Sequence, residues 1–134
     1  MSMFSIFGVS GSAISAQSQR LNVVASNLAN ADAVAGPDGQ GYKARLLTFQ
    51  SVPIGSEGSA GVRVDAVRES DQPFRKTYDP NHPSADPQGY VTQSNVNPVE
   101  EMVNMISASR SYQNNVEVMN TAKTLLLKTL QMGQ

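Results

Sequence analysis

The residues with the clearest potential for chemistry surround the only histidine of the chain, His82. Asp79 and Asp86 flank it, and an imidazole beside carboxylates is compatible with an acid/base pair or a metal site. However, one histidine with two loop carboxylates supplies too few ligands for a transition-metal site. Asp and Asn also cap turns, and the prolines of residues 79–89 forbid a helix there. We therefore favour a structural interpretation of this segment, with a small hydrolase using His82 as the remote alternative.

Other catalytic arrangements are absent from the sequence. Without cysteine there is no thiol nucleophile, disulfide or thiolate metal site. None of the 16 serines lies in a G-x-S-x-G elbow, and no second histidine is present to act as its base. Gly8–Gly11 lacks the lysine of a phosphate-binding loop. The sequence thus predicts a protein that is not an enzyme and that holds no cofactor and no metal.

The charge and hydropathy of the sequence argue against nucleic acid as a partner and against a membrane span. Ten basic residues against 11 acidic ones leave a formal charge of −1, so there is no basic surface for nucleic acid. No apolar run approaches the length of a membrane span. The first basic residue is Arg20, and a chain without a basic segment before Met3–Val9 is not expected to carry a cleaved signal peptide.

The composition also predicts a thin core. Charged residues make up only 16%, whereas Ser, Asn and Gln together account for 36 of the 134 residues. Leu, Ile, Val and Phe contribute 30 residues, close to the level at which chains become disordered. Such a chain is expected to need neighbouring molecules in order to bury its apolar surface.

Residues 1–30 have the pattern of an amphipathic helix. Phe7, Ile14, Leu21 and Leu28 recur every seven residues. Glycines at positions 8 and 11 lower the helix propensity, so the firm helix is expected to begin near Ser12. The polar face is almost uncharged, which favours packing on more than one side.

Residues 98–134 form a second, longer helical pattern. Asn97 can cap the helix, Pro98 suits its first position, and Glu100 lies at the third position, as in a capping box. The apolar stripe recurs every seven residues, and further apolar residues lie beside it. Its members are Met105, Tyr112, Met119 and Leu126, with Met102, Val116 and Leu130 beside them. The pattern predicts a helix from 98 to about 131, ended by Gly133.

Residues 31–97 favour short strands and turns. Tyr42–Val52 is rich in strand-forming residues, and Val62–Ala66 alternates apolar and polar side chains. We expect Glu69–Pro73 to close a hairpin between that strand and Phe74–Tyr78. The predicted fold is mainly α with a small β region, an α+β class. Its terminal helices pair as an elongated, coiled-coil-like hairpin, with a short β-hairpin and extended loop between them.

Motifs near the two ends of the chain resemble those of the flagellar rod, hook and hook-associated axial proteins. The N-terminal motif is Gln17–Val23 followed by Ser26–Ala31, and the C-terminal motif is Glu101–Gln113 with Asn115. A third motif lies between them. The middle of the chain resembles the proximal rod members of this family. That motif comprises Tyr78–Pro83, Gly89-Tyr90-Val91 and Asn95-Val96-Asn97. Gln93-Ser94 stands where the family pattern has Met-Pro.

The resemblance implies a structural rod subunit rather than an enzyme. Such a subunit is exported unfolded by the flagellar type III apparatus, without signal cleavage, and folds on arrival in the basal body that spans the periplasm. Its terminal helices pair and pack with copies of itself, with other rod proteins and with the adaptor components between the rod base and the membrane ring. The rod is a hollow helical shaft that transmits torque. An alternative is another axial or export-linked flagellar component.

The residues expected to form the helix packing and the subunit interface lie on the two terminal segments. The amides of Asn27 and Asn30, with Arg20, are expected to bond neighbouring subunits, while apolar residues of the first helix pack on those of the last. The full set is Ile14, Arg20, Leu21, Asn27, Leu28, Asn30, Met102, Met105, Tyr112, Val116, Met119, Leu126 and Leu130. The expected organisation is 1–30 and 98–134 as the axial core, and 31–97 as a small β and loop region.

Overall fold

The computed structural model describes residues 2–133 and has two long helices separated by short strands. The elements are α1 (Met3–Ala29), β1 (Arg45–Ile54), β2 (Ser59–Glu69), β3 (Lys76–Tyr78), β4 (Tyr90–Thr92) and α2 (Pro98–Met132). The predicted α+β class is confirmed. Within the described residues, neither helix contains an apolar stretch long enough to cross a membrane.

The first helix begins earlier than the sequence predicts. It starts at Met3 rather than near Ser12, and the Ser2 hydroxyl accepts a hydrogen bond of 3.2 Å from the backbone N–H of Ser5. The helix continues through Gly8, which lies in close tertiary contact with Ile54. A Cβ at Gly8 would lie 3.2 Å from Cγ2 of Ile54. Packing thus outweighs the low helix propensity of glycine.

The second helix has the predicted boundaries. It runs from Pro98 to Met132, and Gly133 follows it. The Asn97 side-chain oxygen accepts hydrogen bonds from the backbone N–H groups of Val99 (3.2 Å) and Glu100 (3.4 Å). The predicted cap is therefore confirmed.

The strands pair differently from the prediction. β1 and β2 form one two-stranded sheet, and β3 and β4 form another. The hairpin turn is residues 55–58, where Gly55 and Gly58 adopt positive φ angles of 70° and 75°. The predicted hairpin through Glu69–Pro73 is wrong, because β2 pairs with β1 and not with β3. Just after β2, the Ser70 N–H donates to the carbonyl of Ala44, the residue before β1, at 2.7 Å.

The second sheet is antiparallel and short. Lys76 lies opposite Thr92, and Tyr78 lies opposite Tyr90. The rings of these two tyrosines pack edge to face, with centroids 5.3 Å apart. The sheet thereby joins the two ends of the proline-containing segment 79–89.

The chain divides into two compact units, each with a core of small residues. One unit comprises the chain up to Leu21, Thr48–Ala66 and the chain from Ile106 onward; the other comprises Asn22–Leu47 and Val67–Met105. The first buries Ala16, Ala108 and Ala122, and the second buries a cluster of Ala31, Ala44 and Val96 with Tyr42 packed against it. Small core side chains agree with the thin core that the composition predicts.

Close packing in the first unit generates a stability prediction at Gly61. A Cβ at this buried glycine would overlap Ile54 and would lie 2.6 Å from the Ser12 hydroxyl, which accepts a hydrogen bond from the Val62 N–H. We expect Gly61→Ala to lower the free energy of unfolding by about 1–3 kcal/mol through overpacking. Chemical denaturation followed by circular dichroism measures the change.

Gly36→Ala is the matched control, because a Cβ there meets only Asp38 Oδ1, at 3.4 Å. Equal midpoints for the two variants would contradict the close approach at Gly61.

Candidate assembly interface

The predicted interface residues of α1, together with Asn30 just after it, are mostly half-buried. This group contains Ile14, Arg20, Leu21, Leu28 and Asn30. Asn27 differs from them, because its side chain is fully buried. The fully buried apolar positions of α1 are instead Ala16 and Val24.

The predicted residues of α2 fall into two groups. The half-buried group is Met105, Tyr112, Val116, Met119 and Leu126. Met102 and Leu130 are 54% and 60% exposed. The half-buried stripe lies next to the small residues Ala108 and Ala122, which are the most deeply buried apolar positions of this helix.

Many large apolar side chains of α2 are exposed in the structure of residues 2–133. They are Val99, Met102, Val103, Ile106, Val118, Leu125, Leu127, Leu130 and Met132. In the first unit, an apolar groove of about 480 Å³ lies between Ile6 and the α2 residues Val118, Ala122 and Leu125. Exposed apolar surface of this extent is typical of an interaction site.

Asn27 is the centre of a buried polar network in the second unit. Its amide nitrogen donates to the Arg45 carbonyl at 2.9 Å and to a Glu101 carboxylate oxygen at 3.1 Å. Its oxygen accepts from the Arg45 N–H at 2.9 Å and from the Tyr42 hydroxyl at 3.0 Å. Four hydrogen bonds use the full capacity of an asparagine side chain. Asn27 thus joins α1, the start of β1 and the start of α2.

This network shows what Asn27 does within its own chain, where its buried amide makes four hydrogen bonds. A role of Asn27 between subunits stays a prediction. The Asn30 amide also donates locally, to the Ser26 carbonyl at 2.9 Å. The Arg20 guanidinium lies 3.5 Å from the Gln17 side-chain oxygen. For the half-buried Asn30 and Arg20, a role between subunits stays a prediction.

Glu101 is the buried carboxylate of the second unit, with 7% of the residue exposed. It accepts hydrogen bonds from the amides of Asn27, at 3.1 Å, and Asn104, at 3.4 Å. An ionised carboxylate has about four acceptor sites. Its position near the start of α2 contributes about 0.3–1 kcal/mol through the helix dipole, whereas desolvation of a carboxylate costs several kcal/mol.

A cleft of about 690 Å³ opens beside Glu101. Its polar lining includes Glu100, Glu101 and Arg75, and its apolar lining includes Leu46 and Pro73. Arg75 is engaged elsewhere, since its guanidinium donates to the Ala31 carbonyl at 2.7 Å and lies 3.6 Å from Asp32. The cleft is thus lined by two carboxylates and the Arg75 side chain, beside an apolar wall.

Two adjacent residues hold the chain that leads into α2. The Asn95 side chain accepts from the Ala44 N–H at 2.6 Å and donates to the carbonyls of Ser70 (3.2 Å) and Gln72 (2.9 Å). Ser94, which departs from the family pattern, is fully buried. Its hydroxyl donates to the Ala31 carbonyl and accepts from the Val96 N–H. The departure is thus accommodated by hydrogen bonds that proline cannot make.

The His82 segment is organised by local turns. Nδ1 of His82 accepts from the Ser84 N–H at 3.0 Å, and Asp86 accepts from the backbone N–H groups of Gln88 (2.9 Å) and Tyr90 (2.8 Å). This geometry agrees with the structural interpretation. Across residues 2–133, no three His, Cys, Asp or Glu side chains are grouped so that they could hold a metal ion.

The sequence analysis missed Tyr42, Arg45 and Glu101 as partners of Asn27. The available signal was a second seven-residue spacing, Glu101-Ala108-Asn115-Ala122, beside the methionine-containing stripe. Two of its positions are alanine and two are polar, so a search for large apolar residues passes over it. The hydrogen bonds to residues 42–45 leave no periodic signal.

The network generates a prediction for Asn27→Ala. The substitution removes four hydrogen bonds and leaves the main-chain N–H and carbonyl of Arg45 without their Asn27 partner, while Tyr42 and Glu101 each lose one of their bonds. We expect the free energy of unfolding to fall by about 3 kcal/mol, measured by chemical denaturation. Asn22→Ala, at an exposed position of the same helix, should change it by less than about 0.5 kcal/mol. A similar loss in both variants would argue against the network as a special source of stability.

Comparison with known families matches both ends of the chain. Residues 7–37 match the family described as "Flagella basal body rod protein". Residues 88–132 match the family described as "Flagellar basal body rod FlgEFG protein C-terminal". The matches include Asn27 and Glu101, the two ends of the helix-joining hydrogen bond.

Full-length relatives define the family more narrowly. The flagellar basal-body rod protein FlgC of Salmonella typhimurium strain LT2 is 54% identical over 134 residues. The FlgC proteins of Escherichia coli O157:H7 and Yersinia enterocolitica are each 55% identical over the same length. In all three, the alignment covers the whole of both chains. The chain belongs to the FlgC family of flagellar basal-body rod proteins.

Proposed function

We propose that this chain is a structural subunit of the proximal rod of the bacterial flagellar basal body. In this role it assembles helically with other rod proteins into the hollow drive shaft that transmits torque to the hook. The observation that carries the proposal is the full-length identity of 54–55% with proteins named FlgC. An axial function also requires surface for neighbours, and the uncovered apolar side chains of α2 supply it.

The terminal segments 1–30 and 98–134 would form the axial core, and 31–97 the smaller region outside it. Ile14, Leu21 and Leu28 would pack toward the half-buried stripe of α2, leaving Met102 and Leu130 for contacts with neighbouring subunits. Heterologous contacts of this kind build an open helix rather than a closed ring.

The partners that follow from this role are copies of the chain, other rod proteins and the adaptor components at the rod base. The rod lies in the periplasm, so the chain must leave the cytoplasm. We propose export through the flagellar type III apparatus, unfolded and without signal cleavage. A chain without cysteine suits this route, because no disulfide can form in the oxidising periplasm.

The test begins with mass spectrometry of purified, detergent- and salt-washed basal bodies from the native bacterium. We expect the chain at levels comparable with the other rod components. Its absence from the basal bodies, together with its presence in cytoplasm or culture fluid, would contradict the proposal.

A variant at Met102 tests the surface of α2. Because this side chain is 54% exposed, Met102→Asp should change the free energy of unfolding of the isolated chain by less than about 0.5 kcal/mol. In the rod, the same change places a charge in an apolar contact, and we expect incorporation and swimming motility to fall sharply. Met102→Leu, which keeps the surface apolar, should preserve both. Normal motility with Met102→Asp would exclude this position from the interface.

A further inference from the structure

A row of exposed polar side chains runs along α2 within the first unit. Its members recur at alternating steps of three and four residues, which is the spacing of a helix face that packs against a second helix. They are Ser107, Arg110, Asn114, Glu117 and Thr121. Val118 and Leu125, which are 47% and 52% exposed, lie beside this exposed row and line the apolar groove of about 480 Å³.

Two members of the exposed row carry opposite charges. Arg110 is basic and Glu117 is acidic, and the ion pairs among residues 2–133 are formed by other side chains. Seven residues of α-helix span about 10 Å, so Arg110 and Glu117 of the same helix do not pair with each other. Both charges are therefore available to a neighbouring molecule.

The spacing of these residues selects one arrangement of two copies. The subunits of an open helical assembly share one polarity, and each contact joins two different parts of the surface. When two parallel α2 helices are offset along their axes by seven residues, Arg110 of one copy lies opposite Glu117 of the other. The same offset sets Val118 against Leu125, so apolar surface covers apolar surface. Without an offset, each charge would face its own copy, which is unfavourable.

We propose that the α2 helices of two adjacent copies of this chain pack in parallel along the exposed row, offset by one heptad, with Arg110 of one copy paired with Glu117 of the next. This inference rests on the proposed function, because the shared polarity of the two helices is that of a helical rod. The ion pair sets the register of the contact, whereas the apolar side chains beside it provide most of the affinity.

Charge reversal tests the ion pair. Arg110→Glu or Glu117→Arg sets like charges against each other between copies, and we expect incorporation into basal bodies to fall at least threefold. The double variant restores opposite charges, and we expect its incorporation to lie within a factor of two of wild type. Both side chains are exposed, so the thermal midpoint of the isolated chain should change little in all three variants.

Glu57→Arg is the matched control, because it makes the same charge change in the exposed β1–β2 turn and should incorporate normally. Normal incorporation of both single variants, or a double variant that incorporates no better than they do, would overturn the pairing.

Disulfide mapping tests the offset and leaves both charges in place. The chain has no cysteine, so every cross-link comes from an introduced thiol. With Asn114→Cys and Thr121→Cys in one chain, a heptad offset brings the two positions of adjacent copies within the roughly 7 Å between Cα atoms that a disulfide can bridge. We expect mild oxidation of intact basal bodies to give a ladder of linked dimers, trimers and larger species. Each single variant should stay monomeric.

The outcomes also distinguish the two proposals. A linked dimer from Asn114→Cys alone would mean that the helices meet antiparallel or without an offset, and it would overturn the inference. An incorporated double cysteine variant that gives no ladder would do the same, although in both cases the rod function stands. If the wild-type chain is itself missing from basal bodies, the rod function fails.

Discussion

The hydrogen bonds of one buried amide hold together the segments that meet in the second unit. Asn27 bonds the main chain of Arg45, the hydroxyl of Tyr42 and the carboxylate of Glu101. A leucine at this position could fill the space, but it could not fix the register of a strand against two helices. A buried amide with all its hydrogen bonds made can fix this register, because hydrogen bonds are directional and each one left unmade in the interior costs free energy. The start of β1 and the start of α2 are thus both bonded to the same side chain.

The core of the chain consists mostly of alanine. Where alanine lies between helices and strands, the backbones approach closely, and glycines at positions 8 and 61 bring Ile54 against α1 and β2. Little apolar area is buried per residue, so the isolated chain gains limited hydrophobic stabilisation. Many of the large apolar side chains of α2 are exposed instead. A subunit built this way reserves much of its apolar surface for neighbours, which suits a protein that becomes fully ordered in an assembly.

Glu101 links the interior of the subunit to its surface. Within the chain its carboxylate receives an amide of α1, and beside it lies a cleft with an apolar wall and a second carboxylate. A buried carboxylate contributes little net stability, because the cost of its desolvation offsets what its hydrogen bonds gain.

The sequence alone determined that a helix lies at each end of the chain and that Asn97 caps the second one. Each of these features depends on local spacing or local hydrogen bonds. The sequence also placed the chain among flagellar axial proteins through motifs near both ends. The tertiary structure decided what local rules cannot: α1 begins at Met3 because packing outweighs glycine propensity, and β2 pairs with β1 rather than with Phe74–Tyr78. It also decided that Asn27 bonds its own chain, because its partners lie 15 to 74 residues away in sequence and only folding brings them together.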